Sequence, residues 1–153
     1  MTKFNFKNFA ILSLIALTMI SCGKISNQAT QTSTVTGTET FTNNLGLKQD
    51  MNGLYPRDLK MFDNPKLRER LKNLIGDENY AFFQKNWNVE VPIQCNEEML
   101  IAKACKQHDC DKTKFILVYD FKKNNLAYGV RQGGQAKQFS ENGYTPSAIK
   151  KDL

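Results

Sequence analysis

ACKQHDCD, residues 104–111, holds two of the chain's four cysteines and its only histidine. Cys105 and Cys110 bracket Lys106, Gln107, His108 and Asp109. Several chemistries use such residues. Cys105, His108 and Cys110 are zinc-ligand types, but three ligands inside six residues cannot readily spread to tetrahedral directions. No second Cys/His cluster supplies a fourth. A redox dithiol is disfavoured too: the pattern is CxxxxC, and it follows a strand-like run instead of opening a helix whose terminus would lower a thiol pKa. His108 could serve a serine as a base, but no nucleophile motif occurs in the chain. No metal or other cofactor is therefore expected. What the spacing does make easy is a local disulfide, which would remove about 2 kcal/mol of unfolded-state freedom. The architectural reading of that staple is a rigid turn carrying a surface histidine.

The N-terminus bears on the redox state of these cysteines. Lys3 and Lys7 precede the apolar run FAILSLIALTMI, residues 9–20, too short for a confident membrane span and suited to a secretory signal. The run ends in Ser21-Cys22, which resembles the lipobox of bacterial lipoproteins, with Met19 where Leu, Val or Ile is usual. The resemblance implies cleavage before Cys22 and its lipidation, and so a membrane-anchored protein of the cell envelope, in the outer membrane and facing the periplasm. Cleavage of residues 1–21 removes two lysines and no acid, taking the formal charge from +6 to +4. That charge is spread along the chain without a Lys/Arg block, so nucleic acid is not an expected partner. Export places Cys95, Cys105 and Cys110 in an oxidising compartment. Three is odd. Cys95 is either a buried free thiol, a competitor for Cys105 or Cys110, or a link between chains.

The elements that must position the loop lie downstream of a polar stretch. GKISNQATQTSTVTGTETFTNN, residues 23–44, has few large apolar residues and cannot offset its ordering entropy. A signal peptide over 1–21 is therefore expected to be followed by a flexible tether over 22–55, spanning roughly 30 Å, and a folded domain over 56–153. Asn64 can cap a helix and Pro65 suits its first position. Leu67, Leu71, Leu74 and Ile75 follow at helical spacing, Gly76 stops the helix, and Asp77 opens a second short one ending near Trp87. Strands are expected at 89–95, 99–105, 114–121, 126–131 and 136–140. Val89, Val91, Ile93 and Cys95 would share one face of the first, and Pro92 marks an edge strand. Thr145-Pro146 starts a short C-terminal helix. The fold class is α+β: an antiparallel sheet of about five strands with helices packed on one face.

The stretch CKQHDC, after a short strand and a GDENY segment, resembles the loop of the Ivy family, periplasmic inhibitors of vertebrate lysozyme. Cys105, Lys106, His108, Asp109 and Cys110 match that loop, and Gln107 stands where it has proline. The resemblance extends from about Gly76 to Arg131. It implies an α+β fold, often a dimer, and a non-enzymatic protein. It also implies that Cys105 and Cys110 form the staple, that residues 106–109 enter the cleft of a C-type lysozyme or related muramidase, and that His108 meets the two catalytic carboxyl groups; whether lytic transglycosylases are targets too is left open by the sequence. A retaining glycosidase holds those carboxyls about 5–5.5 Å apart. An imidazole carries nitrogens on opposite sides of one small ring and can bond both. A preformed loop avoids the ordering cost of a flexible peptide. Two other readings stand beside this one: a non-catalytic envelope lipoprotein with a structural or peptidoglycan-binding role, and a zinc- or thiol-dependent periplasmic enzyme.

Overall fold

The computed structural model describes residues 45–153; the expected signal peptide, Cys22 and most of the expected tether lie outside the described residues. Helix α1, Pro65–Asn86, begins as its sequence dictates. The Asn64 side-chain oxygen accepts from the N–H groups of Lys66 and Leu67 at 2.9 and 3.2 Å, satisfying two of the orphan donors of the first turn. The same amide donates to the Leu45 carbonyl at 2.8 Å. Gly76 breaks α1 with φ +80°, so the two helices expected around it form one element with a kink.

Five antiparallel strands follow in spatial order β1-β2-β3-β4-β5: Val89–Cys95, Met99–Cys105, Lys114–Asp120, Asn125–Gln132 and Gln135–Ser140. The meander is the α+β arrangement expected. Alternation along β3 sorts the two cores. Phe115, Leu117 and Tyr119 join Leu67, Leu71, Ile75 and Phe83 of α1 on one face. Ile116 and Val118 meet Ile149 of the short helix α2, Ser147–Asp152, on the other. The long helix thus covers one face, as expected, and the C-terminal helix adds a small cover to the opposite one. A Cβ on Gly129 of β4 would lie 2.6–2.9 Å from Leu153, Ile149 and Ile116, so a glycine lets α2 sit close on the sheet. Pro146 itself takes the N-cap position of α2, and Thr145 contributes no cap bond there.

Two further expectations are corrected. The first strand does not keep Val89, Val91, Ile93 and Cys95 on one face. Its register with β2 shifts between Val91 and Gln94. A bulge at Pro92, which cannot donate to a ladder, inserts an unpaired residue and reverses the alternation. Val89 and Val91 face the α2 side and are 41% and 45% exposed, whereas Ile93 turns into the α1 core and Cys95 packs against it. Nor does a loose tether run to residue 55. Leu45 and Leu47 are buried in the α1 core, and Met51 packs against it. The Gly53 N–H donates to the Ile93 carbonyl and the Ile93 N–H to the Leu54 carbonyl, both at 2.8 Å. Asn52 Oδ1 accepts from the Cys95 N–H at 2.9 Å. The segment 45–55 shields the far half of the β1 edge, which would otherwise expose unpaired backbone groups.

Candidate functional site

The strand ends determine where the reactive loop lies. Cys105 ends β2 and sits directly opposite Lys114, the first residue of β3, so the connection comprises residues 106–113. Cys105 is bonded to Cys110, with Cα atoms 4.9 Å apart. The staple closes only the outgoing half of the loop; Cys110 lies within the turn and not across the ladder. The two cysteines are paired in this bond, so neither offers a free thiolate to a zinc ion in this state. Cys95 is the free cysteine among the described residues, with burial, and then Asp50, pushing its thiol pKa up.

Two successive turns build the tip. The Asp109 N–H donates to the Lys106 carbonyl at 3.0 Å, which makes Gln107 and His108 the central residues of a β-turn. His108 has φ +63°, the left-handed region. A positive φ confined to the second central position is the signature of a type II turn, whose first central position favours proline. Gln107 occupies that first position. Left-handed backbone costs a residue with a Cβ about 1–2 kcal/mol. The disulfide ring and the turn bond hold His108 there.

The second turn folds the chain back into β3. The Asp109 carbonyl accepts from Lys112 and Thr113 N–H groups at 3.2 and 2.8 Å. The Thr113 hydroxyl, on a buried residue, donates to the Asp109 carboxylate at 2.8 Å. Lys106 Nζ lies 3.7 Å from that carboxylate. The Lys106 N–H donates to the Thr113 carbonyl at 3.2 Å and closes the loop's base. Asp109, one of the four residues expected to enter the cleft, is half-buried, with its charge answered within the loop. Lys106, Gln107 and His108 are exposed. Among the described residues nothing hydrogen-bonds the imidazole of the exposed His108. Thr113 was not singled out from sequence; its signal is the D-x-x-x-T spacing that sets an acceptor and a donor across one turn.

Neighbouring segments hold this end of the sheet in place. The Asn88 N–H donates to the Cys105 carbonyl at 3.3 Å, and the Gly134 N–H to the Lys112 carbonyl at 3.4 Å. Glu90, absent from the sequence-based candidates, is a buried anchor. Its carboxylate accepts from Trp87 Nε1 at 2.7 Å and from the Arg57 N–H and Nε, both at 3.0 Å. The side chain is 5% exposed, so these charge-assisted bonds hold β1 firmly to the helix.

The arrangement can present one exposed imidazole from a short rigid tip. It has no nucleophile beside it and no ligand cluster; among the described residues no group of three or more His, Cys, Asp or Glu could hold a metal ion. Comparison with known proteins adds one finding. The sequence model of a family described as "Inhibitor of vertebrate lysozyme (Ivy)" matches residues 66–153, more than half of the chain and including the whole loop. No curated protein and no solved structure matches.

Proposed function

The chain belongs to the Ivy family, inhibitors of vertebrate lysozyme and not enzymes, and from that premise we propose that its stapled loop plugs the active-site cleft of a C-type lysozyme or related muramidase, with His108 bonding the two catalytic carboxyl groups. The observation that carries the proposal is the conformation of His108: exposed, in left-handed backbone at the tip of a disulfide-closed turn, with no hydrogen-bond partner among the described residues. Such a group loses little freedom on binding. It enters a cleft without offering a scissile bond. Two carboxyls about 5–5.5 Å apart are matched by ring nitrogens on opposite sides of the imidazole. Lys106 adds a positive charge beside them, and the bonding of Asp109 within the loop keeps a carboxylate away from the target's own.

We also propose that the protein is held at a bacterial membrane through lipid on Cys22, which would keep the inhibitor beside the peptidoglycan it protects. The support is the basic, apolar, Ser-Cys sequence of residues 1–22. Two tests address the two parts. Purified protein should slow lysis of bacterial walls by C-type lysozyme at near one-to-one stoichiometry, and an unchanged lysis rate would refute the inhibitory reading. Wild type should fractionate with membrane and Cys22→Ser should not; equal membrane retention of both would refute the anchor.

A further inference from the structure

We infer that the target contacts more than the loop, and that the exposed apolar strip of Val89 and Val91 on the β1 edge is the surface on which the wall of the target's cleft rests. The inference builds on the plug reading and extends it to a second contact. Its first support is reach. His108 stands three residues beyond Cys105, the last residue of β2, so its backbone reaches at most about 10 Å past the sheet end. A partner whose reacting groups His108 touches must bring its cleft walls down to the base of the loop.

The second support is what lies at that base. Val89 sits directly opposite Cys105 in the sheet, and Val91 opposite Lys103, on the same face. They border a shallow groove floored by Ile116, Leu153 and the Cys105–Cys110 bridge. The Glu90 anchor holds this half of β1 from the other face, so the two valines are fixed in place although nothing among the described residues covers them. The shielding segment 45–55 bonds to β1 only beyond the bulge, at Ile93 and Cys95. Exposed β-branched residues on an uncovered edge are an association hazard that folds ordinarily blunt with charge or cover. Here they adjoin the loop instead.

The third support is charge. Lys114 and Arg131 are directly opposite each other on the same face, and no carboxylate pairs with either among the described residues. Like charges directly opposite on neighbouring strands are destabilising by themselves, and an acidic cleft mouth would relieve them. A glycan-binding cleft combines carboxylates with walls of apolar and aromatic side chains. That combination complements an apolar strip beside a cationic pair.

The test compares wild type, His108→Ala, Val89→Thr/Val91→Thr and Leu54→Ser for inhibition of C-type lysozyme, with thermal midpoints and sizing of each protein. Threonine keeps the branched shape and the strand preference while removing apolar character. The double variant should raise the inhibition constant about tenfold, through faster dissociation and at an unchanged midpoint. Leu54→Ser, also exposed but beside the shielded half of β1, should behave as wild type. Full inhibition by the double variant, with His108→Ala inactive, would overturn the inference and leave the plug intact. A wild-type dimer that the double variant splits without loss of inhibition would assign the strip to a second copy of the chain and overturn it as well. Failure of wild type to inhibit would remove the plug reading, and this inference with it.

Discussion

Thr113 and Asp109 are joined twice: the Thr113 N–H donates to the Asp109 carbonyl and its hydroxyl to the Asp109 carboxylate, each at 2.8 Å. This pair, at the root of the loop, converts an eight-residue connection into two tight turns with the histidine at the apex. The disulfide closes one side of the tip and the Asp109–Thr113 pair closes the other.

Asp109→Ala should therefore act through the loop's order. It removes a bond to a buried hydroxyl, costing about 1–2 kcal/mol of stability, and loosens the tip. Inhibition should weaken about 3- to 10-fold, less than on removal of the imidazole. Thr113→Ser keeps the hydroxyl and should restore most of what Thr113→Val loses. Denaturant unfolding and inhibition constants measured on one set of variants check both.

Gln107→Pro should tighten the loop. Position 107 is the first central residue of a type II turn, where the fixed φ of proline fits. No hydrogen bond uses the Gln107 N–H among the described residues. Stability should rise by about 0.4–1 kcal/mol, and inhibition should improve by no more than a few fold. A lowered melting temperature would show that the turn is of another type.

Tyr128 lies under α1 with its side chain fully buried and its hydroxyl without a hydrogen-bond partner among the described residues. An unpaired buried hydroxyl costs about 1–3 kcal/mol, so Tyr128→Phe should stabilise the fold by about 1 kcal/mol at neutral pH. Burial pushes the phenol pKa of Tyr128 far above its ordinary value, and those of Tyr80 and Tyr119 upward as well. All three are raised in the native state, so their contribution to stability is complete below the unfolded value of about 10. Above it the unfolded chain loses phenol protons first and binds fewer than the native chain, and stability falls as pH rises. Chemical denaturation at pH 8 and pH 11 should show a marked loss for wild type and a smaller one for Tyr128→Phe.

Much of this architecture is legible in the sequence because its signals are local. Asn64-Pro65 specifies a helix start by capping and by a preset φ. The continuous apolar run of β3 places that strand in the centre, buried on both faces. Cys105 and Cys110 are close enough in sequence that their bond needs no knowledge of the fold. What escapes is settled by distant partners. One bulge at Pro92 decides the direction of every side chain after it, and alternation alone does not announce a bulge. Leu45 and Leu47 follow a polar stretch and read as its continuation, yet they complete a core contributed by α1 and the sheet. The bonding of Asp109 within the loop depends on a threonine four residues on, and the Glu90 anchor on Arg57, which lies 33 residues earlier.

The central claim is that His108 is the inhibitory group, and the most direct measurement is inhibition of C-type lysozyme by folded His108→Ala protein at neutral pH. Alanine, like histidine, carries a Cβ in the left-handed region at φ +63°, so the substitution removes the ring without relieving the backbone strain. The melting temperature should be unaltered. The inhibition constant should rise roughly 30- to 1,000-fold, equivalent to about 2–4 kcal/mol of binding. Lys106→Ala, measured alongside, should cost well under 1 kcal/mol and should change mainly the salt-dependent association rate. Undiminished inhibition by His108→Ala would contradict the account and reduce the stapled loop to architecture.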